Sequence, residues 1–148
     1  MKKKILAVLS ITMAAVLAGC GAKTIDVHEL ASSLASEGKF AEQLTEVSSD
    51  ITEKRYGIEA ADVEECAAYA GTKAVVDEVA VFKAANVENV KEQAQKHIET
   101  QNDSYSSYRP DEVPKLDDSV VTVSGDYVIV CVSEDSSAAK SIIEKYTK

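Results

Sequence analysis

The sequence predicts an α+β domain: N-terminal helices followed by two ββα units that form a small antiparallel sheet with helices packed on it. Three observations carry that expectation. Apolar residues recur at helical spacing near both ends and through a long central stretch. Ser119–Ser124 and Tyr127–Ser133 are runs of Val, Ile and Thr split by Gly125-Asp126, a two-residue hairpin signal. Finally, EVAVFKAANVENVK overlays YVIVCVSEDSSAAK without a gap, placing Val79 on Val128, Val81 on Val130, Phe82 on Cys131, Asn86 on Asp135 and Lys91 on Lys140. In both copies a strand gives way to a short turn, an Asx cap and an amphipathic helix.

The elements follow in order. Asp26 can cap a helix, with Glu29 three residues on completing a capping box. Val27, Leu30, Ala31 and Leu34 then share one helical face, and Gly38 ends the helix. Phe40, Leu44 and Val47 suggest a further helical turn or two. A short helix starts at Ser48 or Ser49 and stops at Arg55-Tyr56-Gly57, with the glycine beyond the last helical residue. Asp62–Ala70, DVEECAAYA, has helical composition but weak alternation at Val63, Glu65, Ala67 and Tyr69. The overlay decides for a strand, because the second copy is preceded by a partner strand. Glu78–Lys83 reads as a strand. From Asn86 a helix carries the stripe Val87, Val90, Ala94, Ile98, Gln101, Tyr105, Tyr108 and ends at Arg109, since Pro110 disfavours a helical residue before it. Pro110 and Pro114 fall in the following loop. After the hairpin, Asp135 or a neighbouring serine caps a last helix with Ala139, Ile142, Ile143 and Tyr146 on its apolar face. Hairpins with helices on one face are the expected layering.

The front of the chain is different in kind. Lys2, Lys3 and Lys4 precede an uncharged apolar run, Ile5–Val16. That run is too short to cross a hydrocarbon core, which takes roughly 20 residues, and it has the form of an export signal. Leu17, Ala18 and Gly19 lead directly into Cys20. This resembles the lipobox of bacterial lipoproteins, in which the thiol takes a diacylglyceryl group and the signal is cut off before the cysteine. The expected organisation is a signal peptide over 1–19, a lipidated cysteine and short linker over 20–25, and a single α+β domain over 26–148. Removing the three signal lysines leaves 13 basic against 25 acidic residues, a formal charge of −12. Such a domain is repelled by phosphate backbones and anionic headgroups. No nucleic-acid partner is expected, and the lipid on Cys20, not a basic patch, would hold the chain to the bilayer. Two acyl chains suffice for stable anchoring where one does not. Five linker residues span at most about 18 Å, so the domain would sit close to the membrane, favouring partners in or on it. The spacing of Cys66 and Cys131, the other two cysteines, gives no reason to pair them.

Four segments, RYGIEAADVEE, DEVAVFKAANVENV, YSSYRPDEVPKLDDSVV and GDYVIVCVSED, together resemble the domain-of-unknown-function family 4358 over nearly the whole mature chain. The recurring pieces are Tyr56-Gly57, the strand Glu78-x-Ala80-x-Phe82, the helix exit Tyr108-x-Pro110 and the strand start Gly125-x-Tyr127. The resemblance implies a small lipoprotein of Firmicutes type and a fold, but no catalytic residues. The chain departs from the family in its first strand, where Cys66-Ala67-Ala68 stands in place of Val and Tyr.

No catalytic set is legible. Nucleophilic hydrolysis needs Ser or Cys beside a positioned His; His28 in the first turn of a helix and His97 beside the core stripe read as surface or boundary residues. No nucleophile elbow, glycine-rich phosphate loop or zinc spacing occurs. Asp103, Asp111, Glu112, Asp117 and Asp118 cluster around the proline loop without a calcium-loop frame, and read as a solvated acidic face. Tyr105, Tyr108 and Arg109 form the one candidate binding patch, against the plainer reading that the tyrosines pin the helix end to the sheet. No metal and no cofactor are expected. The reading is a membrane-anchored extracytoplasmic lipoprotein and non-catalytic binding module of the cell envelope, partnered by the bilayer through Cys20 and by an unknown envelope or membrane protein. The alternatives are an accessory subunit of an envelope-modifying enzyme or transporter, and a cryptic carboxylate-dependent hydrolase.

Overall fold

The structure, a computed structural model, describes residues 23–148; Cys20 and the segment Leu17–Gly19 lie outside the described residues. The elements in chain order are α1 (Val27–Glu37), β1 (Thr45–Val47), α2 (Ser49–Tyr56), β2 (Val63–Ala70), β3 (Glu78–Ala84), α3 (Val87–Tyr108), α4 (Val113–Asp117), β4 (Val120–Ser124), β5 (Tyr127–Val132) and α5 (Ser136–Thr147). The strands form one antiparallel sheet in the order β1-β2-β3-β5-β4. The fold is α+β, with both ββα units present as β2-β3-α3 and β4-β5-α5. Among the described residues no helix is long and apolar enough to cross a membrane.

Local chemistry sets the element ends. Asp26 accepts the Glu29 N–H at 2.9 Å, Asn86 that of Asn89 at 3.2 Å and Asp135 that of Ala138 at 3.0 Å, satisfying N–H groups that a helix start leaves unpaired. Gly57 stops α2 in the left-handed conformation, with φ of 65°. Gly125 has φ of 56° and Asp126 a negative φ, the pattern of a type II′ hairpin turn with glycine first.

The sheet is covered on both faces, not one. All six residues of β5 are buried, and β3 is buried at every position but Lys83. Strands apolar on both faces need a layer on each. On one face α1 and α5 pack on Ala67, Val79, Val81, Ile129 and Cys131. On the other, Tyr56 and Ile58 with Val90 and Ala94 of α3 cover Cys66, Ala68, Ala80, Phe82, Val128 and Val130.

Two further expectations change. Phe40, Leu44 and Val47 do not continue in a helix: residues 39–44 are irregular and Thr45–Val47 adds an edge strand to β2. Three apolar positions are too few to separate the two periodicities, and pairing with β2 decides. The proline loop is itself helical, with a 3-10 turn at Pro110–Glu112 running into α4. Both prolines sit in first turns, where a missing N–H costs no bond.

Candidate functional site

The β2–β3 connection and the last turns of α3 enclose a cleft of about 560 Å³. The connecting loop closes on itself, Gly71 donating to the Asp77 carbonyl at 3.0 Å and Val75 to that of Thr72 at 3.2 Å. Tyr105 fastens the helix to the loop by reaching the carbonyls of Lys73 at 2.8 Å and Val75 at 3.2 Å. Burial raises its phenol pKa, with Tyr108 and Glu112 adding to the shift. Tyr108 stands edge-on to Tyr105 with ring centroids 5.8 Å apart, and is 65% exposed at the cleft mouth. Arg109 does not join them. It turns to Asp111, with contacts of 3.0 and 2.8 Å that raise the guanidinium pKa and lower that of the carboxyl. The predicted patch is therefore divided: two tyrosines line the cleft, and the cations that line it with them are Arg55, brought in from α2, and Lys73 of the loop.

Arg55 leads into a buried polar cluster. Its Nη2 lies 3.2 Å from Glu78 Oε2, while Glu78 Oε1 lies 2.7 Å from His97 Nε2. His97 is buried, contrary to the surface or boundary position expected of it; it is three residues beyond Ala94, on the same helical face. Tyr56 lies over the imidazole at 4.1 Å between centroids and edge-on to Phe82 at 5.2 Å. Its hydroxyl is buried with no hydrogen-bond partner among the described residues, and burial drives its pKa well up, with Glu78 adding. The other histidine, His28, is exposed and lies 3.4 Å from Glu65.

Beneath the loop sits a second cluster. Lys115 Nζ lies 2.9 Å from Asp77 Oδ1 and 2.8 Å from Glu112 Oε2. Asp77 Oδ2 accepts the Ala41 N–H at 2.7 Å, and Glu112 Oε2 accepts the Val76 N–H at 3.0 Å. Burial acts to lower the Lys115 pKa, but the hydrogen bonds with Glu112 and Asp77 outweigh it and leave it raised. Glu112 is thus an internal group, not part of a solvated acidic face. The remaining acids of that stretch are exposed, and Asp117 accepts from Asn102 at 2.7 Å.

The geometry has a direction. α1 starts beside Glu65 near the first residues of β2, whereas the cleft lies beyond Ala70 and Glu78, at the other end of the same strands. A seven-residue strand spans about 23 Å, so the N-terminal end and the cleft are separated by roughly the length of the sheet. Cys66 and Cys131 are free and point to opposite faces. Burial pushes their thiols up to about 11 and about 12 respectively. The described residues contain no cluster of three His, Cys, Asp or Glu side chains disposed to hold a metal.

These features define a three-layer antiparallel domain with a cleft at one end of its sheet. Residues 36–133 match the family described as Domain of unknown function (DUF4358), and the chain belongs to that family. The matched stretch spans all five strands and the cleft side of the sheet, but not α5 or most of α1. It is shorter than the resemblance over nearly the whole mature chain. No curated protein and no solved structure matches the chain.

Proposed function

We propose that the protein is a non-catalytic binding module of the cell envelope, tethered to the extracytoplasmic face of the membrane by acylated Cys20, that takes a protein partner at the cleft. The cleft carries the proposal. Its volume of about 560 Å³ falls within the 300–1,000 Å³ of typical ligand sites. Tyr105, Tyr108 and Arg55 are of the residue types that dominate interface energetics. The non-catalytic reading is supported by how polar groups at the cleft are already engaged. His97 Nε2 is directed at Glu78, and the cleft's Ser104 hydroxyl donates to the Thr100 carbonyl at 2.9 Å.

A chain held at Cys20 then presents the cleft away from the bilayer. Ile25 is already packed in the core, so only the residues between Cys20 and Ile25 separate lipid from domain. The short tether favours partners in or on the membrane, and the position of the cleft favours those that reach it from the side away from the bilayer. A photoreactive residue at position 108 in intact cells should trap one recurrent envelope protein. The same probe at Glu92, exposed in the first half of α3, should not. Combining the probe with Arg55→Ala should reduce capture at least about fivefold, the effect of losing roughly 1 kcal/mol. Equal background capture from positions 108 and 92 would remove the proposal.

A further inference from the structure

We infer that Lys115, Asp77 and Glu112 form a self-modifying site, in which Lys115 Nζ and Asp77 Cγ join in an intramolecular isopeptide bond with Glu112 carrying the protons. The three side chains are 14%, 0% and 7% exposed, so the reacting groups are shielded from bulk water. The nucleophilic nitrogen lies 2.9 Å from Asp77 Oδ1 and 2.8 Å from Glu112 Oε2, so one amine touches both the group it would attack and a base. Such fixed proximity substitutes for an activating cofactor.

The atoms balance without a co-reactant. Glu112 takes a proton from the Lys115 ammonium and passes it to Asp77 Oδ1. The free amine attacks Cγ, and negative charge gathers on Oδ2. That oxygen accepts the Ala41 N–H at 2.7 Å, a donor placed where an oxyanion forms. Glu112 then moves a second proton from Nζ to Oδ1. The Cγ–Oδ1 bond breaks, one water leaves and the amide remains. The net charge of the triad is unchanged, but two of its three buried charges are gone. Desolvated charges are costly, so the product relieves the site, and its amide N–H faces the Glu112 carboxylate.

The bond would fasten the residue before β3 to α4, beneath the cleft loop. It would give an exported chain a covalent staple that its two internal cysteines, on opposite sheet faces, cannot supply. Val76, Leu116 and Val132 form a separate apolar cluster at this junction, which keeps the surroundings of low polarity.

Peptide mapping of the full chain purified from its membrane tests this. The expected product is a branched peptide joining the Asp77 and Lys115 segments, lighter by one water than the two together. It should be absent from Asp77→Ala and from Lys115→Arg, which keeps the charge but cannot form the amide. Glu112→Gln should form it at least about a hundredfold more slowly, the usual effect of losing a general acid–base group. Circular dichroism shows whether each variant folds. Linear peptides alone from folded wild-type protein, after prolonged incubation, would overturn the inference. Undiminished formation in a folded Glu112→Gln variant would overturn the assigned role of Glu112.

Discussion

Two kinds of residue have environments that set measurable behaviour directly. The first is the thiol pair. A thiol reacts as thiolate, and burial holds Cys66 near 11 and Cys131 near 12, above an ordinary value of 9.0. Folded protein at pH 7.5 should therefore resist alkylation at both positions, and unfolded protein should take up an adduct at each, read by peptide mass spectrometry. Rapid labelling of native Cys131 would contradict its environment. The linkage follows the same sign. The fold prefers the neutral thiols, so their contribution is complete below the unfolded value and is lost as pH rises from about 9 towards 12. The second is Gly57, whose φ of 65° lies where side chains carrying a Cβ are strained. An added Cβ would meet only Gln93 Oε1 at 3.6 Å, so the cost is conformational and not a clash. Gly57→Ala should destabilise the protein by about 1–2 kcal/mol, visible as a lower urea midpoint with unchanged slope.

At the scale of elements, burial decides which polar pairs matter. His97→Leu removes one partner of Glu78 inside α3's packing face, where both side chains are nearly inaccessible. Taking a hydrogen-bond partner from a buried carboxyl group costs about 2–3 kcal/mol. Lys145→Ala removes the partner of Glu37 between α5 and α1, where both groups are mostly exposed, and should change stability by less than about 1 kcal/mol. Denaturant midpoints of the two variants should differ accordingly, and equal effects would mean that the Glu78 cluster is not a structural anchor. The same contrast explains what could be read in advance. α3 and the β4–β5 hairpin were legible because their periodicity is sustained and their caps and turn are local. The overlay of the two ββα units settled β2, where composition alone favoured a helix. The second helical layer is not legible from periodicity, because its signal is that β5 and β3 are apolar at consecutive positions. Tyr105 and Tyr108 stood out at the helix exit, but Arg55, Asp77, Glu78 and Lys115 did not. The Arg55–Glu78 and Asp77–Lys115 contacts join residues 23 and 38 apart in sequence, and only the adjacent acids Asp77-Glu78 opening an apolar strand hinted at buried partners.

At the scale of the whole molecule, charge and polarity point in opposite directions. The stretch 20–148 carries a formal charge of −12 and gains nothing from an anionic membrane surface, and among the described residues no helix is long and apolar enough to cross a bilayer. The attachment proposed at Cys20 would be covalent and would enter at the N-terminal end. Ile25 and Val27 insert into the core cluster that α5 also joins, so a tether at Cys20 would meet the packed domain within a few residues. The cleft, at the opposite end, keeps its orientation only while that packing holds. Metabolic labelling with a clickable fatty acid should tag the wild-type chain and not Cys20→Ala, and the variant should leave the membrane fraction. A shift of Cys20→Ala to the soluble fraction with loss of partner capture at position 108 would tie binding to the anchor. Soluble Cys20→Ala that still captures the partner would place all recognition in the cleft. Equal labelling of the two chains would refute the anchor and, with it, the orientation that directs the cleft away from the membrane.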